Sequence, residues 1–390
     1  MPLLFFLGQL AFRRLYYGQW VPNTALIKVA FTPERVAAGL AYVREGWNDL
    51  RPLSDLGAAA LVFGLIQREH RVRFAILAGN VCAWLLYVAC VGGDIFPAAR
   101  HLVPVVVLLT FALVEAMRRL EQRAMRWVPL ALGLATCAVC ALLWVDQPER
   151  DANRRAITER WEWEGEATGR LLQTTFGDSG AVVAVTAAGC IAYWSELDAI
   201  DMLGLNDRYL AEHPPPDIGH GMLGHEHGNG AYVLGRAPDL IVFDVGGGPS
   251  YRAGREMAAT EAFARDYQPV RFEARSPRVH EGVFYLRRSS PRTGIRASSE
   301  GLVVPGYLLL TRTPTIIGAR GGLVAAVARG ERAFAKLDAP IPPGATFRID
   351  SHPPDAARAT IDPRHPQLLV VSTDREESVE IEQITIHPPP

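Results

Sequence analysis

The chain has 390 residues, with 49% hydrophobic and 21% charged residues and a formal net charge of −1, which leaves room for roughly two or three domains. A near-neutral chain has no global electrostatic footprint for nucleic acid, and no nucleic-acid partner is expected. The 5 cysteines do not form a disulfide framework: Cys82, Cys90, Cys137 and Cys140 fall inside apolar runs and read as small buried hydrophobes, while Cys190 stands alone as a free thiol.

The ordinary average hides a split. Up to about residue 145 the sequence is dominated by apolar runs, and beyond it the chain is polar and rich in turns. The opening MPLLFFLGQLAF is about a dozen residues, too short to cross a hydrocarbon core. It lacks the basic start and small-residue cleavage site of a signal peptide. It reads as the tail of a helix begun upstream, and the chain as the later part of a longer protein. Residues 53–66, 74–91, 102–117 and 127–145 then qualify as membrane spans; the first is short and needs tilt or packing in a bundle. Short connectors and the lack of a charged stripe count against a soluble helical core.

Basic residues in short loops orient such spans. Arg68, Arg71 and Arg73 crowd the loop 67–73, and Arg118, Arg119, Arg123 and Arg126 the loop 118–126, so both face the cytoplasm. The segment 13–51, the connector 92–101 and everything after Asp146 then face outward. Tyr16, Tyr17, Trp20 and Trp47 suit headgroup depth. Thr32 before Pro33 is a helix start, and Val36, Leu40 and Val43 recur at helical spacing, which predicts a short helix over 33–45 lying on the bilayer surface.

In the outer half, 152–175 is a helix candidate carrying Trp161 and Trp163. Strands are expected at 181–186, 240–245, 270–273 and 283–287, with a helix over 253–266, an α/β layer pattern. The composition of 289–301 reads as a linker. Strands at 307–311, 345–350, 367–372 and 378–386 then suggest a small antiparallel sandwich.

Candidate chemistry gathers in four places. Gly246, Gly247 and Gly248 follow a strand and precede a helix, as in a phosphate cradle, but without G-x-G-x-x-G spacing a plain turn is the favoured reading. His220, His225, Glu226 and His227 share one loop; His225 and His227 have the alternation to share a metal, and substrate contact or a solvated loop are the other readings. Asp198, Asp201, Asn206 and Asp207 either cap helices or bind sugar hydroxyls. Asp94, Arg100 and His101 sit in GGDIFPAARHLVP between two apolar runs, where charge is costly and is usually paired or functional. Asp94 either ties two helix ends through Arg100, or the outward cations Arg13, Arg14, Lys28, Arg100 and His101 meet a lipid phosphate and stabilise it as a leaving group.

RRLYYGQWVPNTALIK, GGDIFPAARHLVP, AIDMLGLND and GHGMLGHEHGNGAYVLGRAPDLIVFD, in that order, together resemble the GT-C type of polytopic membrane glycosyltransferases, specifically the bacterial arabinofuranosyltransferase-like branch, which includes proteins named as flagellar motor control proteins. The resemblance covers roughly residues 13–244. It implies a partial GT-C transmembrane helical bundle with a periplasmic C-terminal part, a polyprenyl-phosphate-linked sugar donor, a cell-envelope glycan acceptor and transfer on the outer face of the bacterial inner membrane. The family's catalytic Asp, in its first external loop, has no counterpart here; that loop would precede Met1, so the N-terminal half is expected to be missing.

The expected architecture is therefore a transmembrane region over 1–146 with an outer interfacial loop at 13–51, a periplasmic α/β domain over 147–288, a linker at 289–301 and a β-rich sandwich-like domain over 302–390. On this reading Asp94 is the carboxylate this chain brings to the catalytic site. Lys28, Arg100 and His101 hold the phosphate and Asn23 orients it. Asp201, Asn206, Asp207, His225 and Glu226 contact sugar. No metal ligand set is assigned, no cofactor is certain and a divalent cation is left open. The alternative is a non-catalytic envelope scaffold or glycan-binding membrane protein linked to flagellar motor control.

Overall fold

A computed structural model describes residues 2–121 and 127–389; Arg123 and Arg126, counted in the second basic loop, lie outside the described residues. Helices α1 (Pro2–Tyr16) and α2 (Asn23–Lys28) open the chain. Two compact units follow: a helical unit of Lys28–Glu159 with Pro216–His225, and a sheet unit of Met1–Ile27, Arg160–Pro215 and Glu226–Pro390.

In the helical unit, α3 (Pro33–Asp49) begins where the sequence predicts. The Thr32 side chain accepts the Arg35 amide at 3.2 Å and Pro33 occupies the first turn. The helix runs past residue 45. Its packed face is built on Arg35, Gly39 and Gly46, while Leu40 of the Val36, Leu40 and Val43 stripe is exposed.

Then come α4 (Leu53–Ile66), α5 (Arg71–Cys90), α6 (Val103–Glu121), α7 (Trp127–Asp146) and α8 (Asp151–Thr158). Glycines let these helices approach. A methyl on Gly39 would overlap the Ala89 backbone of α5, one on Gly64 would overlap the Phe74 ring, and one on Gly57 would lie 2.7 Å from Leu109 Cβ of α6. Phe74, Val81, Val105, Leu109 and Ala112 fill the seam.

Only a narrow stripe of each helix meets its neighbours. Ile76, Leu86, Phe111, Val114, Leu130 and Leu142 are each more than half exposed. For the same reason Cys82, Cys137 and Cys140 are exposed rather than buried as expected. The stretches Arg71–Cys90 and Arg100–Leu120 are long and apolar enough to cross a membrane, and Leu53–Ile66 is a shorter apolar helix. Arg73 from the first basic loop and Arg118 and Arg119 from the second all reach Glu115, at 3.7, 3.1 and 2.7 Å. The start of α5 and the end of α6 therefore share one end of the unit, and the 92–101 connector lies at the other end of both helices.

The sheet unit continues with α9 (Trp161–Phe176), β1 (Val182–Val185), α10 (Cys190–Ser195), β2 (Asp198–Asp201), α11 (Arg208–Glu212), α12 (Gly230–Gly235), β3 (Leu240–Val242), α13 (Tyr251–Ala258), α14 (Glu261–Asp266), β4 (Tyr267–Ala274) and β5 (His280–Arg287). Strand β1 pairs in parallel with β2 and β3. Val183 and Val185 join one apolar cluster and Ala184 another, so the strand is covered on both faces, as its unbroken apolar run requires. The predicted helix over 152–175 is two helices interrupted at Glu159 and Arg160, and that over 253–266 is broken where Thr260 caps α14 by accepting the Phe263 amide at 3.2 Å. Asp198 and Asp201 lie on a strand, not in a turn.

Strands β6 (Arg296–Ser298), β7 (Gly301–Pro305), β8 (Thr315–Ile317), β9 (Leu323–Val327), β10 (Arg332–Lys336), β11 (Thr346–His352), β12 (Arg358–Asp362), β13 (His365–Ser372) and β14 (Val379–His387) complete the unit. One sheet runs β2-β1-β3-β5-β4-β8-β9-β14-β7-β6, with β11 on β14; a second is β10-β13-β12. Val304, Val327 and Ile384 of the first share a core with Ala333, Leu369 and Val371 of the second. The expected antiparallel layers are present, but one of them is continuous with the α/β sheet through the β4–β8 pair. Residues 307–311, expected as a strand, form a 3-10 turn at Gly306–Leu308 and a single bridge from Leu310 to Phe334. The segment 289–301, read as a linker, is built into the fold: Ser290 and Thr293 are buried and Arg296–Ser298 is strand β6.

Candidate functional site

The connector from α5 to α6 is shaped by backbone that most residues avoid. Gly92, Gly93, Ala98 and Ala99 all have positive φ, easy for glycine and strained for alanine. Gly92 lies against the Arg35 side chain and Gly93 against Tyr42, so the turn is pressed onto α3. Within it the Asp94 side chain is only 4% exposed. Arg100 donates to both its oxygens, the second bond at 3.3 Å, and the Ile95 amide donates to Oδ1 at 2.9 Å. His101 Nε2 lies 3.8 Å from Asp94 Oδ2. The His101 amide donates to the Tyr42 hydroxyl at 3.3 Å, and Trp84 Nε1 donates to the His101 carbonyl at 2.6 Å. The Arg100 guanidinium sits 4.2 Å from the Phe96 ring centroid and stays half exposed. Burial pushes the Tyr42 hydroxyl pKa up; the bond from the His101 amide opposes this, the Asp94 charge adds to it and the Arg100 charge subtracts. The sequence left open whether Asp94 tie-bars two helix ends or serves chemistry; the carboxylate is committed to Arg100.

Beside the same turn is a cavity of about 360 Å³. Ala98 and Ala99 of the connector, Leu50 and Leu53 before and in α4, Trp144 of α7, and Gln147, Arg150 and Asn153 line it. Arg150 donates to the Asp49 carbonyl and pairs with Asp146 at 3.0 Å. Arg155 of α8 donates to the Ile95 carbonyl at 2.9 Å, tying the segment after α7 to the connector. A largely apolar lining that also carries Arg150, Gln147 and Asn153, together with Asp49, suits an amphiphile with a polar head. Sequence reasoning missed Gln147, Arg150 and Asn153. The available signal was DQPERDANRR, a polar run rich in charged residues and amides that starts directly after Val145, the last residue of the apolar run.

Lys28 belongs to a different corner. Its stem runs past Gly224, whose φ is +76°, and the loop 216–225 is held at the start of α3 by Thr32 donating to the Gly219 carbonyl at 3.0 Å and by His220 3.6 Å from Glu34. Among the described residues Lys28 has no ion pair. Along α3 the loop beside Lys28 is held at Thr32, and the connector carrying Asp94 and Arg100 meets Tyr42, about 15 Å further along the helix axis at 1.5 Å per residue. His225 Nδ1 lies 3.2 Å from the Leu223 carbonyl in this loop.

Residues 153–291 match a family described as a domain of unknown function (DUF8728). The matched span runs from within α8 to just beyond β5, the α/β part of the chain. No curated protein and no solved structure matches the chain.

Inside that span Asp201, Asp207 and His227 have structural partners. Asp201 is 3% exposed and accepts the amides of Leu203, Gly204 and Asn206 at 2.9, 3.2 and 2.7 Å. Burial pushes its pKa up and those bonds hold it down. Asp207 caps α11 by accepting the Leu210 amide at 3.0 Å and also accepts the Tyr232 hydroxyl at 2.9 Å. Asp207 takes the helix-capping alternative, and Asp201 instead closes the turn after β2. Asn206 is exposed, and Asn23 is half-buried at the start of α2. The Glu226 carbonyl accepts from Arg252 at 3.2 Å. His227 is fully buried, its Nδ1 3.1 Å from the Leu210 carbonyl. Gly246–Gly248 closes a turn in which the Gly246 and Gly247 amides donate to the Phe243 carbonyl. Among the described residues no group of three or more His, Cys, Asp or Glu is placed to hold a metal ion.

Proposed function

We propose that this chain is part of a GT-C-like membrane glycosyltransferase that handles a polyprenyl-phosphate sugar at the outer rim of a multi-pass helical bundle in the bacterial plasma membrane, with a cell-envelope glycan as acceptor. The observation that carries the reading is the pairing of an apolar cavity with arginines at one end of the bundle, Arg100 in the connector and Arg150 in the cavity lining, opposite the end where Arg73, Arg118 and Arg119 gather. The outward apolar faces of α5 and α6 support lipid as their surroundings. In transfer, an acceptor hydroxyl attacks the anomeric carbon, the carbon–oxygen bond to the lipid phosphate breaks, and the guanidiniums offset the charge that develops on the leaving phosphate. Asp94 positions Arg100, and the group that takes the hydroxyl proton lies elsewhere.

The test is titration of the purified chain in lipid nanodiscs with a polyprenyl monophosphate. Arg100→Ala and Arg150→Ala are each expected to weaken binding about tenfold, the loss of one charge-assisted contact; unchanged affinity in both removes the reading. A second reading, a non-catalytic binder of the same lipid or of glycan in an envelope scaffold, is favoured by the full engagement of Asp94. Tight lipid binding with no sugar transfer in membranes containing donor and acceptor supports it over the enzyme.

A further inference from the structure

A second cavity, of about 510 Å³, lies wholly within the sheet unit. Its walls are Ile295, Leu302, Leu337, Ile341 and Ile386, contributed by the turn before β6, by β7, by the loop after β10 and by the end of β14. Among the described residues Arg288 is the one arginine lining it; Ser289, Asp338 and His387 add to the polar part of the lining. The Arg288 backbone is fixed on both sides, its amide donating to the Asp266 carbonyl and its carbonyl accepting the Ile295 amide, each at 2.9 Å. Arg287 and Arg292 are both bound to Asp239, at 3.0 and 2.9 Å. Arg288 forms no ion pair within 4.0 Å among the described residues, although its charge is felt at Asp266, and its Nε, like that of Arg287, is buried without a hydrogen-bond acceptor among them. His387 is occupied, its Nδ1 2.7 Å from the Glu300 carbonyl. Asp338 is exposed, makes no ion pair with Arg288 among the described residues, and is screened by water.

A buried donor without an acceptor costs stability unless something fills its bond. An apolar cavity of this size favours a flexible hydrocarbon. We infer that the sheet unit binds an amphiphile, an alkyl chain ending in an oxyanion, with the chain against Leu302, Ile341 and Ile386 and the oxyanion on Arg288. A carboxylate from a free fatty acid and a phosphate from a lipid carry the same chemistry. This site shares no residue with the connector or the cavity beside it.

The experiment uses the whole chain in nanodiscs, titrated calorimetrically with octanoate, octyl phosphate and octanol and corrected with empty nanodiscs. Saturable binding of at least one anion, about tenfold tighter than octanol, is expected; which anion binds tighter identifies the source. Arg288→Gln should erase the preference for the anion. Ala339→Trp, at an exposed position on the cavity lining, should remove saturable binding of all three without unfolding the chain. Equal affinity for octanol and both anions, or anion binding that survives Ala339→Trp unchanged, overturns the inference.

Discussion

The Asp94 carboxylate and the Arg100 guanidinium meet through both carboxylate oxygens across the turn joining α5 to α6. The pair is lopsided, since Asp94 is 4% exposed and Arg100 is 51% exposed. Removing the arginine strands a buried acid, while neutralising the acid leaves a cation that water can reach. Arg100→Met is therefore expected to destabilise the chain by about 1–3 kcal/mol, and Asp94→Asn by less than about 1 kcal/mol. Denaturant unfolding followed by tryptophan fluorescence compares the two. Equal losses would mean that the acid is not held as a buried charge.

Helix contacts in the bundle rest on absent side chains. Gly39 of α3 touches the Ala89 backbone, whereas Gly79 of α5 has nothing within 4 Å of where a Cβ would sit. Gly39→Ala should cost about 1–3 kcal/mol through overpacking. Gly79→Ala should be neutral or stabilise by up to about 1 kcal/mol through helix propensity. The same unfolding measurement on both variants decides it; a harmless Gly39→Ala would show that α3 is free to move off α5.

Those glycines mark where sequence reading stopped. The apolar runs located α4 to α7 within a few residues because each is long and uninterrupted, and the Thr32-Pro33 cap fixed the start of α3. The spacing of Val36, Leu40 and Val43 located the helix but not its packed face, because that face is built on Gly39 and Gly46, which hydrophobic periodicity hardly weighs. In the sheet unit, β1 and β3 were legible as unbroken apolar runs, while β2 was hidden because DAID carries an acid at each end. Asp201 and Asp207 looked available for sugar because a sequence does not show which backbone amides will turn toward a carboxylate. At the connector, the grouping of Asp94, Arg100 and His101 was readable from spacing alone; Arg150 and Asn153 were not, since their cavity exists only once α8 folds back to Ile95.

Asp239 offers the largest single-site effect in the sheet unit. Its side chain is fully buried and accepts from Arg287, Arg292, Ser290 and the Val182 amide, at 3.0, 2.9, 2.7 and 2.9 Å. These bonds join the start of β1, the end of β5 and the segment before β6. Burial pushes its pKa up, but the bonds from Ser290, Val182, Arg292 and Arg287 outweigh burial and bring it below the usual carboxylate range. Asp239→Ala strands two arginines and should cost about 3–5 kcal/mol. Calorimetric melting of the purified chain should show the transition of the sheet unit moving down; a shift within experimental error would remove the network from the stabilising contacts.

His227 should make stability depend on pH in the mildly acidic range. Burial lowers its pKa from 6.5; the bond to the Leu210 carbonyl and the Glu226 charge raise it, and the Arg252 charge lowers it further. Nε2 is buried and has no hydrogen-bond partner among the described residues, so a proton there would be unsolvated. Above pH 6.5 the ring is neutral in both folded and unfolded chains. As pH falls below that value the unfolded chain takes up a proton that the folded chain refuses, and stability is lost until the lower folded pKa is passed. His227→Gln removes this titration. The stability advantage of the wild type over His227→Gln should therefore shrink by up to about 1.4 kcal/mol per pH unit between pH 6.5 and the folded pKa. Urea unfolding of both chains across that range measures it, and parallel pH curves would show that His227 accepts its proton as readily folded as unfolded.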